Sequence, residues 1–375
     1  MNIGIDANEA NVDNLVGVSV YTLSLLKEFQ KKSCKDLIFS VYLRKKPKKH
    51  LPEQTRFFKY KIVKGPILWS RFFLPLQLAK EKFSSKLDMF FSPAHYSPKY
   101  SFTPLVVAIH DLSYFYFPKE FLKKDLYKLK NWTKESIQKA EKIIAVSKTT
   151  KNDILRFYQI PENKIKVVYN GFAPPPAPKR KKLPFNLKPK SYFLFVSTIQ
   201  PRKNIKNLLI AFDIFKKKTK SDLKLVIAGK KGWLWQPIME VFEKIKFKDE
   251  IVFTDYLEEE TKNLLFSQAF AFVHPSFYEG FGLPLLEAFY WRIPVVSSFS
   301  SALPEIAEDA AVYFNPKNPE EMADKMLKLY SSPTLRKRLI KKGSSRLKIF
   351  SWKKTAEETI QVFYEAIQKN QNLYL

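Results

Sequence analysis

Twice along this chain, short uninterrupted apolar runs alternate with stretches of helical period, and a proline-rich basic segment separates the two series. The first series has apolar runs at 2–6, 37–43, 88–91, 105–109, 142–146 and 165–168, with helical patterns at 18–30, 125–140 and 148–157. The second has runs at 192–197, 224–228, 251–253, 270–274 and 294–297, with helical patterns at 205–217, 235–244, 259–267 and 282–290. A strand that is apolar on both sides is covered on both faces, so each series predicts a parallel sheet wrapped by helices. A chain of 375 residues also exceeds what one core usually encloses. The expected class is therefore α/β, with two doubly wound, Rossmann-like domains facing a central cleft and ligands beyond the carboxyl ends of the strands.

The expected boundaries are 1–172 for the first domain, 173–190 for the linker, 191–350 for the second domain and 351–375 for a terminal helix. The linker reading rests on the run APPPAPKRKKLPFNLKPK, which has no acidic residue. In the terminal helix Trp352, Ala356, Ile360, Phe363, Tyr364 and Ile367 fall on one face and predict packing, back onto the first domain as the family resemblance below implies.

One cysteine, Cys34, excludes an intramolecular disulfide framework and a cysteine-rich zinc module. No apolar run reaches the ~20 residues of a membrane span, and MNIGIDANEA lacks the basic-then-apolar layout of an export signal. A cytoplasmic location is expected. The net charge is +29, yet 31 basic and 15 acidic residues lie in 1–170 against 34 and 21 in 171–375. So even a spread fits a lysine-rich composition or contact with an anionic membrane surface better than nucleic acid, which is not expected. Window 251–310 runs the other way, with nine acidic residues and only Lys262 and Arg292 as bases.

Glycine is scarce, at 9 residues, so each one kept points to a backbone need. Most fall at the carboxyl ends of expected strands. The richest segment is HPSFYEGFGLPLLE, residues 274–287. Glu279 stands in a loop after a strand, Gly280-Phe281-Gly282 brings backbone close to a ligand, and Pro284 suits the first turn of a helix. The helix N-terminus can receive a diphosphate or sugar oxygens. Glu287 lies far enough along the helix to reach a second part of the same ligand, or it only caps or pairs on that helix.

This segment resembles the Glu-x7-Glu signature of retaining glycosyltransferases of family 4, which have the GT-B fold. The resemblance continues through LPEIAEDAAVYFNPKNPEEMA, STIQPRKNIKNLLIAF, IIAVSKTTKNDI, AIHDLSYFYFP, IGIDAN with GVSVYT, and FSWKKTAEETI, so it covers most of the chain and is weakest over 45–100. Its flavour is closest to bacterial mannosyltransferases that build surface polysaccharides. It implies hexose transfer, mannose favoured, from GDP-mannose or a UDP-hexose to a glycan or polyprenol-linked acceptor, with retention of configuration and no cofactor or metal.

Residue by residue, the resemblance implies that Glu279 holds the donor sugar's hydroxyls and that Gly280, Phe281, Gly282 and Leu283 present backbone beside it. Glu287 grips the ribose, and Arg202 with Lys203 neutralises the diphosphate. His110 lies near the transferred sugar as a hydrogen-bond donor, Gly17 lets the N-terminal loop approach the diphosphate, and Tyr256 with Leu257 lies where the base rests. Asp111 either orients His110 or closes a turn. Ser197 and Asp255 depart from the family by standing where glycines are frequent, and Thr198 where some relatives carry a further arginine.

Residues 56–86 interleave basic and aromatic side chains. They fit either docking on the anionic inner face of the cell membrane or a core element of the first domain with solvated lysines. Against the transferase reading stands a degenerate relative that binds nucleotide-sugar or scaffolds without turnover.

Overall fold

The computed structural model describes residues 1–66, 68–84, 87–179 and 182–371. Parts of the basic–aromatic stretch 56–86, the middle of the linker 173–190 and the last four positions of the terminal segment lie outside the described residues. The chain divides into two compact units, Met1–Gly171 with Phe350–Leu375, and Phe172–Ile349.

The first unit runs β1 (Asn2–Asp6), α1 (Val18–Lys32), β2 (Ile38–Leu43), β3 (Phe58–Ile62), α2 (Phe73–Ser84), β4 (Met89–Ser92), β5 (Leu105–Ile109), α3 (Ser113–Tyr116), α4 (Lys123–Lys139), β6 (Lys142–Ala145), α5 (Lys148–Tyr158) and β7 (Ile165–Val167). Its seven strands are parallel in the order β3-β2-β1-β4-β5-β6-β7. Strand β1 pairs Asn2 with Ile38 on one side and Ile3 with Met89 on the other. The order reverses there, so the crevice beyond Asp6 and Ser92 is this unit's switch point.

The second unit runs β8 (Tyr192–Val196), α6 (Ile205–Thr219), β9 (Lys224–Ala228), α7 (Gln236–Lys244), β10 (Ile251–Phe253), α8 (Glu259–Gln268), β11 (Ala271–His274), α9 (Leu283–Tyr290), β12 (Val295–Ser298), α10 (Leu303–Ala307), β13 (Ala311–Phe314), α11 (Pro319–Ser331) and α12 (Pro333–Leu347). Its parallel sheet has the order β10-β9-β8-β11-β12-β13, with the reversal between β8 and β11. Phe193, Phe195, Leu225, Ile227 and Val273 are buried in one core with Leu208, Phe212 and Met322 from the covering helices. Continuous burial of this kind is why these strands read as unbroken apolar runs.

The basic–aromatic stretch is half-buried among the described residues: Ile62, Leu68, Phe72 and Leu76 are exposed, while other apolar side chains enter the core. Phe58, Trp69, Leu74 and Leu78 are buried, and the Trp69 indole donates to the Val63 carbonyl at 2.6 Å. Lys59, Lys64 and Lys80 are exposed, and Lys61 pairs with Glu81 at 2.6 Å. The proline-rich segment packs within the second unit, burying Leu183 and Leu187, and the Lys190 ammonium donates to the Ser267 and Ala269 carbonyls at the end of α8.

The last helix, α13 (Trp352–Gln371), packs in the first unit against α1, β4, β5 and β6. Trp352 meets Tyr21 edge-on at 5.9 Å, and Phe363 lies 5.1 Å from Phe91. Tyr364 belongs to the other side of the helix and is 43% exposed. Val362 and Ala366 are buried beside Phe363 instead. Among the described residues no helix is long and apolar enough to cross a membrane.

Candidate active site

The second unit gathers four charged or titratable side chains where β8 and β11 end. After β8 the chain turns through Pro201–Lys203 in one 3-10 turn, and Asn204 takes a left-handed conformation (φ +60°) before α6. The Asn204 amide donates to the Pro275 and Pro316 carbonyls at 3.0 and 2.7 Å, tying this turn to the loop after β11. Phe277 N donates to the Arg202 carbonyl at 2.9 Å. The two loops are thus laced together by the Asn204 side chain and one backbone bond.

Glu279 sits at the centre. Its Oε1 accepts from Lys203 Nζ at 2.6 Å and from Ser276 Oγ at 2.7 Å. His274 Nε2 lies 3.3 Å from the same oxygen without the alignment of a hydrogen bond. Oε2 has Arg202 Nη1 at 3.9 Å, and that nitrogen donates to the Tyr278 carbonyl at 2.8 Å. Burial by itself would raise the Glu279 pKa, but Lys203 foremost, then His274 and Arg202, hold it well below the ordinary carboxylate value. The carboxylate is therefore a fixed anion, only 13% exposed, with a cation on each oxygen.

Behind Glu279, Gly282 caps α9 at φ +103°. A Cβ there would stand 2.7 Å from Leu303 Cδ2, so glycine answers both a backbone and a packing need. Phe281 is buried, and Leu283 opens the helix after the Gly280–Gly282 turn. Glu287, one turn further, accepts from Lys262 Nζ at 2.5 Å. Its partner is one of the two bases in the acidic window. Tyr256, after β10, is 63% exposed and takes no part in the core, and Leu257 is half-buried beside it. Asp255 holds φ +55°, the left-handed conformation a glycine would otherwise take, and aspartate tolerates it better than most residues.

In the first unit His110 follows β5. Its Nε2 bonds the Pro93 carbonyl at 2.7 Å, and its ring meets Tyr21 edge-on at 4.7 Å. A carbonyl only accepts, so Nε2 carries the proton. Burial, then the neighbouring His95, lowers the His110 pKa to about 4, leaving the ring neutral with Nδ1 as an acceptor. This corrects the expected donor role: the donor nitrogen is already spent on Pro93. Ring-proton NMR should show His110 unprotonated until the pH nears about 4. Since the unfolded ring takes up its proton near the ordinary histidine value of 6.5, His110 should stabilise the fold fully above that pH and progressively less as the pH falls toward about 4. A midpoint near 6.5 in the folded protein would contradict this.

Asp111 closes a turn: its Oδ1 accepts from Ser113 N at 3.0 Å and Ser113 Oγ at 2.8 Å, opening α3. Gly17 is the N-cap of α1 at φ +34°, with open space around it. Sequence reasoning missed Ser276 and Ser301. Ser301 Oγ accepts from Glu279 N at 2.8 Å and so fixes the backbone of the key glutamate. Ser276 left a faint signal by standing three residues before Glu279, whereas Ser301, 22 residues on, left none. Among the described residues no group of three His, Cys, Asp or Glu side chains is placed to hold a metal ion.

Comparison with known proteins follows the same division. Residues 177–346 match the model for glycosyl transferases group 1, and residues 16–174 match that for glycosyltransferase family 4. The O-antigen chain mannosyltransferase B of Escherichia coli is 30% identical over 265 residues, 69% of either chain. Among solved structures, sucrose-phosphate synthase from Thermosynechococcus elongatus superposes with a TM-score of 0.75 at 16% identity, covering 98% of this chain and 99% of that one. HepE of Anabaena, solved in complex with UDP, gives 0.70 at 15% identity, covering 97% and 99%.

Proposed function

The chain belongs to the group 1, family 4 glycosyltransferases with the GT-B fold, and from that membership we propose that it transfers a hexose from a nucleotide-sugar to a glycan or polyprenol-linked acceptor, with retention of configuration. Mannose from GDP-mannose is the favoured donor, since a relative 30% identical is named a mannosyltransferase of O-antigen chains; a UDP-hexose is the alternative, since a structural neighbour binds UDP. The setting is surface-polysaccharide synthesis on the cytoplasmic side of the cell membrane, where the protein associates peripherally.

The observation that carries this reading is the Arg202–Lys203–Glu279 cluster. Arg202 and Lys203 take the diphosphate, whose charge grows as the bond from the sugar's anomeric carbon to the phosphate oxygen breaks. Both cations are already fixed by Glu279 and the Tyr278 carbonyl, so they need little reorganisation at that moment. We assign this charge neutralisation to the two side chains instead of a metal ion. Glu279 Oε2, the less crowded oxygen, accepts from a sugar hydroxyl, while the amides at the start of α9 face the phosphate side. Glu287 exchanges Lys262 for the ribose hydroxyls, and Tyr256 offers an exposed ring to the base. His110 Nδ1 accepts from a hydroxyl of the sugar. The acceptor oxygen attacks on the face that the phosphate leaves, and the acceptor proton passes to the departing phosphate oxygen.

The test is thermal stabilisation by a panel of nucleoside diphosphates and their sugars, with Glu287→Ala in parallel. A nucleotide at 100 times its Kd should add about 2.7 kcal/mol. A response to GDP or UDP that is weakened in Glu287→Ala supports the reading and names the base. No response from well-folded protein would overturn it in favour of a scaffolding relative without turnover.

A further inference from the structure

Where α12 packs on α9, the second unit carries an open groove of about 390 Å³ that includes Arg292, Lys337, Ile340, Lys341, Ser344 and Lys348. Every ionisable side chain in its lining is a base. The diphosphate cluster stands before the start of α9, which Gly282 caps, whereas Arg292 follows the other end of that helix. The groove is therefore separate from the site already described.

Helix α12 has no acidic residue, and its bases divide by face. Arg336 donates to the Leu329 and Tyr330 carbonyls at 2.8 and 2.7 Å, Lys342 pairs with Asp309, and Arg346 pairs with Glu308 at 3.0 Å. Lys337 and Lys341, one turn apart, line the groove instead. Among the described residues no carboxylate pairs with them, with Lys348 or with Arg292. Like charges one turn apart on a helix repel; the fold relieves that repulsion on one face of α12 and leaves it on the next. Arg292 is also held at φ +52°, a left-handed conformation uncommon for so large a side chain. An unrelieved row of four cations is what an anionic partner neutralises.

The extent and exposure of the row suit a surface better than a single small anion. From Lys337 to Lys348 the chain runs three turns, about 16 Å along the helix axis, which is farther than one phosphate group reaches. All four cations are exposed, so no other side chain screens them from a flat partner. Ile349, next to Lys348, is 41% exposed and offers an apolar foot beside the charges.

We propose that this groove docks the second unit on the anionic phosphate headgroups of a membrane, with Arg292, Lys337, Lys341 and Lys348 each facing headgroup phosphate. Such docking deepens the peripheral association proposed above and rests on that reading for its setting. It assigns a contact on α12, apart from the basic–aromatic stretch 56–86 of the first unit.

The experiment measures binding of the full chain to phosphatidylglycerol vesicles, to phosphatidylcholine vesicles and to glycerol 1-phosphate. The parent should bind phosphatidylglycerol and not phosphatidylcholine. Lys337→Ala, Lys341→Ala and Lys348→Ala together should weaken that binding by about a hundredfold, roughly fivefold for each charge. Alanine suits these exposed positions, and an unchanged urea midpoint verifies that the variant is folded. The matched control, Lys217→Ala, Lys218→Ala and Lys248→Ala, removes as much charge from exposed lysines already paired with Asp213, Asp324 and Glu243. It should stay within about fivefold of the parent. Equal losses in the two triple variants would make net charge the cause and overturn the proposal. So would vesicle binding retained in the groove variant, which puts the contact elsewhere, or glycerol 1-phosphate binding without vesicle binding, which makes the occupant a soluble anion. A parent that binds no vesicle overturns the docking and the peripheral association together. Nucleotide stabilisation on the same samples should match between parent and groove variant; if it is absent from both, the donor reading fails and the vesicle result still stands.

Discussion

Replacing Lys203 by methionine is expected to cut sugar-transfer turnover by about 10²–10³-fold and to lower the stability of the second unit by about 3–5 kcal/mol. The two effects have separate causes, which a second substitution can pull apart. Lys203 and Glu279 are 11% and 13% exposed and their charges are 2.6 Å apart, so removing the ammonium leaves a carboxylate in a poorly solvated place. Arg202, at 3.9 Å from the other oxygen, compensates only in part. The stability loss is therefore the cost of the orphaned anion. In the double variant Lys203→Met, Glu279→Gln the neutral amide keeps the Ser276 bond and no charge is stranded. Stability should return to within about 1–2 kcal/mol of the parent while turnover stays lost, because neither the diphosphate cation nor the sugar-holding carboxylate is restored. Urea midpoints and initial rates on the three variants decide it. A double variant as unstable as the single one would mean that the lysine's stem packs the loop and its charge is incidental.

An acid dependence of the same sense as that of His110 follows from this pair. With its folded pKa held well below the ordinary value, Glu279 stabilises the fold above the unfolded carboxylate pKa and loses that contribution as pH falls through the folded one.

How far the sequence revealed this arrangement depends on what each residue type can signal locally. The strands at 105–109 and 251–253 were legible to the residue because both sheet faces are covered, leaving unbroken apolar runs. Strand β13 and helix α10 were not separated out. They are 4 and 5 residues long and are joined by a single 3-10 turn, Glu308–Ala310. At 56–86 alternating lysines and aromatics satisfy two geometries at once, a membrane-facing stripe and a half-buried β-α pair, and only tertiary contact chooses. Tyr364 was placed on the packed face by period alone, yet the smaller Ala366 fills the contact. In the site, Glu279 stood out because Gly280 and Gly282 mark its loop, whereas Arg202 and Lys203 entered only through the family resemblance. The pairing of Glu287 with Lys262 was not legible, since they stand 25 positions apart with a strand between them. Nor was the committed proton of His110, which depends on a carbonyl 17 residues away.

Gly229→Ala is expected to destabilise the second unit by about 2–4 kcal/mol and to weaken its response to nucleotide, although the residue contributes no side chain to the site. Gly229 follows β9 at φ +147°, and a Cβ built there would lie 1.9 Å from the Ser197 carbonyl oxygen and 2.7 Å from its carbon. Those are backbone atoms, so no rotamer change relieves the clash. The approach is held from both sides: Gly229 N donates to the Asp255 carbonyl at 3.1 Å, and Ser197 N donates to the Ala228 carbonyl at 3.0 Å. Either β9 must move or the segment from Ser197 must yield. That segment leads within six residues to Lys203, so relief of the clash is transmitted to the cation beside Glu279. Gly17→Ala is the matched control, also at positive φ but with nothing within 4 Å of the added carbon. It should lose only the strain of the positive φ, about 1–2 kcal/mol. If Gly229→Ala unfolds at the parent's urea midpoint and binds nucleotide equally well, the close approach of β9 to the Ser197 loop is not what positions the cluster.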